Sequence, residues 1–315
     1  MNVLYSHIFP AYREYAELTD EARIDWLRRD RWISLPQAEA ALRHLEDLVI
    51  YPPRGRMPCL LLFGATGMGK TEIVSRFSKL HAPQFDIRTG LSKMPVLLAQ
   101  IPPEPSEEQF YTEVLTALNC VDLSRLSVRS MRAEARQLLA EVETKVLVLD
   151  EIDKMLAGTP RQQRVFLNTI RFLTNDLKIP IVCAGTEDAR MAVLMDPNLA
   201  DRFGAFELMP WRNDHALRQL LASFSGLLPL RRPSMLDTVE ARQRVLALTQ
   251  GVTGRIFRLI EAAAVTAIRD GREMLDAASF EANDVTLPLV SMFTSAGKRR
   301  TIYGRPYEFR GAIRG

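Results

Sequence analysis

Gly64-Ala65-Thr66-Gly67-Met68-Gly69-Lys70-Thr71 gathers glycines, an ammonium and a hydroxyl into one short segment with the spacing G-x-x-x-x-G-K-T. Glycines at these positions let a loop curl so that successive backbone N–H groups point inward at phosphate oxygens. Lys70 is then expected to reach the β- and γ-phosphates, and the Thr71 hydroxyl to ligate Mg²⁺. The context agrees: the apolar run Leu60-Leu61-Leu62-Phe63 precedes the loop, and a helix-compatible stretch runs from Glu72 to Lys79. That helix adds its positive N-terminal end to the same anion site. A glycine-rich turn with an incidental Lys-Thr needs no such strand–loop–helix frame. The segment implies a site for a nucleoside triphosphate, with Gly64, Gly67, Gly69, Lys70 and Thr71 as its residues.

A second element carries acids. Val146-Leu147-Val148-Leu149 delivers Asp150 and Glu151 to the end of an apolar strand. Asp150 is expected to hold Mg²⁺ through water, and Glu151 to orient and deprotonate an attacking water. Alone, two acids at a strand end are unremarkable; after a complete phosphate loop they point to ATP hydrolysis rather than to a small-molecule kinase. The strand at residues 179–184 ends in Gly185-Thr186, where Thr186 either touches the γ-phosphate or caps a helix opening at Glu187-Asp188. Arg202, between a helix pattern and a strand pattern, suits an arginine finger on a neighbouring subunit's ATP. The alternative is a surface ion pair with Asp201 or Glu207. Gly254-Arg255-Ile256-Phe257-Arg258 opens a helix that offers Arg255 or Arg258 to the nucleotide or to solvent.

The elements that must position these residues alternate. Strands are expected at 95–101, 145–149 and 179–184, and helices at 106–118, 128–142 and 161–175. Alternating elements with doubly apolar strands argue for a parallel, doubly wound α/β sheet. Ahead of it, residues 12–31 are charged and helix-compatible with Trp26, Leu27 and Trp32 as buried points. Pro36 opens a second amphipathic helix that Pro52-Pro53 ends. After Trp211 only helical patterns remain, at 214–224, 238–249, 254–269 and 277–283. The expected organisation is a helical extension over 1–53, an α/β nucleotide core over 54–211, a helical lid over 212–290 and a basic tail over 291–315.

Composition sets outer bounds. An apolar share of 47% and a charged share of 25% suit a soluble globular protein. No apolar run is long enough to span a bilayer, and the first residues lack a signal-peptide pattern, so a cytoplasmic protein without a membrane partner is expected. Cys59, Cys120 and Cys183 are scattered, with neither a disulfide framework nor metal-ligand spacing. The net charge of +3 does not by itself mark a nucleic-acid binder. The tail is more pointed: Lys298, Arg299, Arg300, Arg305, Arg310 and Arg314 face the single acid Glu308. Such an arm either binds nucleic acid or an acidic partner, or keeps a terminus solvated.

In order, the phosphate loop, Asp-Glu strand, strand-end Thr, Arg202 and helical lid resemble an AAA+ P-loop ATPase. A narrower resemblance is to the TniB/TnsC transposition regulators, with MuB and IstB more distant. It rests on Arg31-Trp32-Ile33 with Pro36, Arg56-Met57-Pro58, Leu149-Asp150-Glu151, Leu156-Ala157-Gly158 and Arg171-Phe172-Leu173-x-Asn175. Ile179-Pro180-Ile181, Gly185-Thr186, Arg202-Phe203 and Leu228-Pro229-Leu230-Arg231-Arg232-Pro233 add to it, and together they cover roughly residues 20–285. The resemblance implies a DNA-binding ATPase without sequence specificity that regulates transposition. It implies a homo-oligomer, as a hexameric or heptameric ring or a filament on double-stranded DNA. It also implies partnership with a DDE transposase of the TniA/TnsB type and with a TniQ-type target selector, in some elements joined to a CRISPR effector. Carried over by position, Lys70 and Thr71 serve ATP and Mg²⁺, Asp150 and Glu151 serve Mg²⁺ and hydrolysis, Thr186 becomes the sensor and Arg202 the finger. The loop reads Met68 before Gly69, where many TniB proteins carry two Asn before the last Gly. Relatives often lack a basic residue at the position of Arg255.

Contacts to DNA phosphates are expected from Lys and Arg. Arg125, Arg129 and Arg132, together with Arg161 and Arg164, are the candidate cluster. Arg129, Arg132 and Arg136 share a helical face, which also suits plain solvation. Two rival readings remain: another AAA+ DNA helper, such as a helicase loader or replication initiator, and a scaffold that holds ATP without hydrolysing it.

Overall fold

The computed structural model describes residues 4–87, 91–102 and 106–280. Expectations for the tail at 291–315, and for residues 281–290 of the lid, lie outside the described residues. The chain divides into two compact units. One comprises residues 31–210 with 252–254; the other comprises residues 1–30, 211–251 and 255–315. The expected extension at 1–53 is thus divided, its first thirty residues grouping with the C-terminal helices.

The first unit is built on a five-stranded sheet. Its strands are β1 (Cys59–Gly64), β4 (Val96–Gln100), β5 (Val146–Asp150), β6 (Ile181–Gly185) and β7 (Phe203–Leu208), in the order β4-β5-β6-β1-β7. Every pairing is parallel. β2 (Gln84–Asp86) and β3 (Leu91–Lys93) form a separate antiparallel pair. The helices of this unit are α2 (Pro36–Val49), α3 (Lys70–Leu80), α4 (Glu107–Ala117), α5 (Val128–Glu141), α6 (Pro160–Asp176), α7 (Glu187–Leu194) and α8 (Pro197–Ala200).

The period-two rule of a strand divides the sheet between two cores. Leu61, Phe63, Leu97, Ala99, Leu147, Leu149, Ile181 and Cys183 face one side, with Phe110 and Tyr111 of α4, Met131 of α5 and Ile170 of α6. Leu62, Val96, Val146, Val148, Val182 and Ala184 face the other, with Leu42 and Leu45 of α2 and Val74 and Phe77 of α3. Both faces are covered, which is why the strands read as unbroken apolar runs. Burial pushes the Cys59 thiol up to about 11 and raises that of Cys183, so both behave as small core residues. β7 is the strand pattern that follows Arg202, for which the sequence set no bounds. It closes the sheet at an edge beside β1, and Gly204, Ala205 and Glu207 are exposed there.

The second unit joins distant parts of the sequence. It holds a 3-10 stretch at Pro10–Glu17, α1 (Asp20–Arg28), α9 (His215–Leu227), α10 (Val239–Thr249), most of α11 (Thr253–Arg269) and a closing turn at Ala278–Phe280. Leu27 of α1 is buried, while Trp26 is only half-buried; Trp32, in the other unit, is half-buried too. The most buried large side chain of α1 is instead Arg23, which is fully enclosed. Its guanidinium donates to Glu273 at 2.7 Å (Nη1–Oε2) and 2.6 Å (Nη2–Oε1), to the Pro229 carbonyl at 3.0 Å and to Asp20 at 2.7 Å. Glu273 also accepts the Arg231 N–H at 3.1 Å. Phe9 donates its N–H to the Gly226 carbonyl at 2.8 Å, and a Cβ on Gly226 would sit 2.8 Å from the Phe9 ring. Among the described residues no helix is long and apolar enough to cross a membrane.

Candidate functional site

β1 ends at Gly64 and α3 begins at Lys70, so the loop between them leaves the carboxyl edge of the sheet, where ligands of open α/β folds bind. Gly69 forms the entry to α3 in the left-handed region, at φ 94°, and Gly67 has φ 83°. A side chain at either position meets the steric penalty of that region. The loop is also held from outside. Gly254 donates its N–H to the Gly67 carbonyl at 2.8 Å, and a Cβ on Gly254 would fall 3.1 Å from that oxygen. Lys70 folds back across the loop, its Nζ donating to the carbonyls of Gly64 at 2.8 Å and Ala65 at 3.1 Å. Burial lowers the pKa of this ammonium; the charges of Asp153, Asp150 and Glu72 oppose the shift.

The acids of β5 stand two strands from the loop, with β6 between. Asp150 is buried, and burial raises the pKa of its carboxyl. The nearby Thr71 hydroxyl opposes that rise, as does the Glu151 N–H, which donates to Oδ1 at 2.8 Å. The phosphate-loop hydroxyl thus acts on the strand-end carboxylate. Paired hard oxygen donors of this kind fit Mg²⁺. Glu151 has φ 56°, a left-handed conformation that turns the chain sharply out of β5. Its carboxylate accepts from Gln100 Nε2 at 2.9 Å and pairs with Lys154.

Thr186 follows the last residue of β6, between the loop of β1 and the acids of β5. It precedes α7 as the N-cap residue, yet its side chain makes no capping bond. Its N–H donates to Asp153 Oδ1 at 3.3 Å. Arg202 lies just before β7, with Nη1 donating to Thr174 Oγ1 at 2.9 Å and Asn175 Oδ1 at 2.8 Å at the C-terminal end of α6. Neither Asp201 nor Glu207 pairs with it among the described residues; both of its partners are neutral oxygens. Arg255 groups with the helical unit and donates to Gln250 Oε1 at 2.8 Å.

The basic residues separate into two sets. Arg125, Arg129, Arg161 and Arg164 are exposed and make no ion pair among the described residues. Arg132 pairs with Glu107 and lies over the Phe172 ring, 5.4 Å from its centroid. Arg136 pairs with Asp176. The shared face expected for Arg129, Arg132 and Arg136 is thus divided: two of its cations are engaged in tying α5 to α4 and α6.

Two site residues were missed in the sequence. Gln100 ends β4 opposite Asp150 and reaches Glu151 across the strand pair. Asp153 follows Glu151 by two positions and faces both Thr186 and Lys70. Only the run Asp150-Glu151-Ile152-Asp153 hinted at a third carboxylate, and nothing in the sequence announced Gln100.

A parallel sheet in this strand order, a phosphate loop and strand-end acids at its carboxyl edge, and a helical unit after the last strand define an AAA+ P-loop NTPase fold. Solved structures share it. The ORC2 protein of Aeropyrum pernix in its ADPNP–ADP complexes is 16% identical with a TM-score of 0.53, covering 80% of this chain and 68% of that one. Cdc6p from Pyrobaculum aerophilum is 18% identical with a TM-score of 0.54, covering 79% and 67%. Drosophila ORC bound to DNA is 18% identical with a TM-score of 0.50, covering 89% and 67%. At these identities the likeness carries the fold alone. The family model of the bacterial TniB protein matches residues 23–213, more than half of the chain, and the chain belongs to the TniB family. No curated protein matches it.

Proposed function

We propose that this TniB-family protein is an ATPase that binds double-stranded DNA without sequence specificity and uses ATP to control its own assembly during transposition. The observation that carries the reading is that the phosphate loop after β1 and the acids Asp150 and Glu151 at the end of β5 leave the same carboxyl edge of one parallel sheet, with only β6 between them. In this reading the loop N–H groups and Lys70 bind the phosphates, and Thr71 and Asp150 hold Mg²⁺, which neutralises phosphate charge when bound. Lys70 must leave the Gly64 and Ala65 carbonyls to reach a phosphate. Glu151 orients and deprotonates the attacking water, and its bonds to Gln100 and Lys154 must loosen for it to do so. Arg202 reaches from one subunit to the ATP of its neighbour and completes the site. ATP then favours a ring or filament on DNA, and hydrolysis loosens it. The assembled form links a TniQ-type selector to a DDE transposase. One of the solved structures of this fold, Drosophila ORC, was determined bound to DNA, which supports DNA as the surface on which assembly occurs.

The test is ATP turnover with and without duplex DNA, together with electron microscopy of the protein on DNA with a non-hydrolysable ATP analogue. DNA-stimulated turnover and rings or filaments on DNA are expected. Negligible turnover with ATP bound leaves a scaffold instead. Turnover without stimulation of a transposase leaves a different AAA+ DNA helper.

A further inference from the structure

We propose that Asp153 is a positioning residue, which fixes Thr186 beside the phosphate site by accepting its backbone N–H. The inference rests on the ATPase reading above and adds to it a residue outside the phosphate loop, the Asp-Glu pair and the finger. β5 and β6 pair in register as Leu149↔Cys183, so the turns that follow them leave the sheet side by side. The first is a 3-10 turn at Ile152–Ala157, and the second carries Gly185 and Thr186 into α7. A Cβ on Gly185 would lie 2.6 Å from Ile152 Cγ2, 2.9 Å from Ala189 Cβ and 3.2 Å from Asp153 Oδ1. Only glycine lets the two turns approach so closely, and that approach is what brings Asp153 Oδ1 to 3.3 Å from the Thr186 nitrogen.

The consequence falls on the Thr186 hydroxyl. At an N-cap it would ordinarily accept an N–H of the first helical turn. Here it makes no such bond and has no hydrogen-bond partner among the described residues. Asp153 holds the backbone of the residue while its hydroxyl stays available at the tip of β6. The charge of the same carboxylate also opposes the lowering of the Lys70 pKa by burial. One side chain thus touches the turn that carries Thr186 and also acts through its charge on the cation that must move to a phosphate.

The experiment measures kcat and ATP affinity for the wild type, Asp153→Ala, Asp153→Asn, Thr186→Ala and the Asp153→Ala/Thr186→Ala double variant. Two residues acting through one contact are non-additive. Each alanine variant is expected to lower kcat about tenfold, with ATP affinity within about twofold, and the double variant to match the worse single. Asparagine retains a carbonyl acceptor, so Asp153→Asn is expected to recover kcat to within about threefold of wild type. If Asp153→Ala does not fold, Asp153→Leu, close in size and unable to accept, takes its place. Multiplicative losses in the double variant, a loss confined to ATP affinity, or an asparagine variant as impaired as alanine overturns the assignment and leaves the ATPase reading standing. A wild type that turns over no ATP, alone or with DNA, removes both.

Discussion

Arg23→Leu tests what joins the two ends of the sequence. The guanidinium is fully buried, and the Glu273 side chain opposite is only 11% exposed. Two charge-assisted bonds join them at 2.6 and 2.7 Å, and further bonds run to Pro229 and Asp20. Removing one partner of a buried ion pair costs about 3–5 kcal/mol, because the remaining charge is left without compensation. Glu273 keeps the Arg231 N–H at 3.1 Å and the Arg231 guanidinium at 3.7 Å, which places the loss at the lower end, about 3 kcal/mol. At about 4 °C per kcal/mol for a unit of this size, the helical unit should melt roughly 12 °C lower.

The loss should also depend on pH. Burial alone raises the pKa of the Glu273 carboxyl, but the bonds from Arg23 and Arg231 outweigh it and bring it below the ordinary 4.5. In the wild type this group therefore adds stability above its unfolded pKa, and the contribution is lost as pH falls through the folded one. Without Arg23 the burial effect gains ground and the depression shrinks. The difference between variant and wild type is then largest at pH 7 and narrows below the unfolded pKa. Urea unfolding at pH 7 and at about pH 4, followed by circular dichroism, reads both quantities. A destabilisation under about 1 kcal/mol, or one unchanged between the two pH values, refutes the reasoning. Replacing both partners, Arg23→Met with Glu273→Leu, should restore much of the loss, since no uncompensated charge remains between them.

Three further outcomes follow from the site. Glu151→Gln should bind ATP, turn over at no more than about a hundredth of the wild-type rate and remain on DNA, read by single-turnover assay and dissociation from labelled duplex; rapid dissociation with hydrolysis blocked contradicts an assembly switch. Arg202→Ala should lower ATP turnover by about 10³-fold while ATP affinity holds, and near-normal steady-state turnover removes the finger. Replacing Arg125, Arg129, Arg161 or Arg164 should each reduce the slope of log affinity against log salt by about 0.9 where the residue meets a phosphate, whereas Arg132→Ala should act first on melting temperature.

The sequence carried the order of the α/β elements because parallel strands buried on both faces appear as apolar runs, and because glycine and proline mark their ends. It gave only a strand pattern without bounds for β7, whose Gly204, Ala205 and Glu207 face solvent at an edge and leave no such run. The small β2–β3 pair is too short for any periodicity to show. Loop and acids were legible because their chemistry lies in contiguous motifs. Gln100 was not, since it becomes a neighbour of the site only through strand pairing, and Asp153, though beside the acids in sequence, meets Thr186 only through the pairing of β5 with β6. Arg132 and Arg136 looked like free cations at helical spacing, and their carboxylate partners sit on other helices. Arg23 was the hardest: a charged residue on a charged helix, whose buried partner lies 250 residues away.

That separation has a temporal side. Chains emerge from synthesis at about 5–20 residues per second, N-terminal parts first. The α/β unit has nearly all its residues once 210 is made, whereas Arg23 meets no Glu273 until some sixty residues later. For several seconds Arg23 has been made while Glu273, its partner in the folded unit, has not. Arg23 and Glu273 can therefore pair only after all five strands of the sheet have been made.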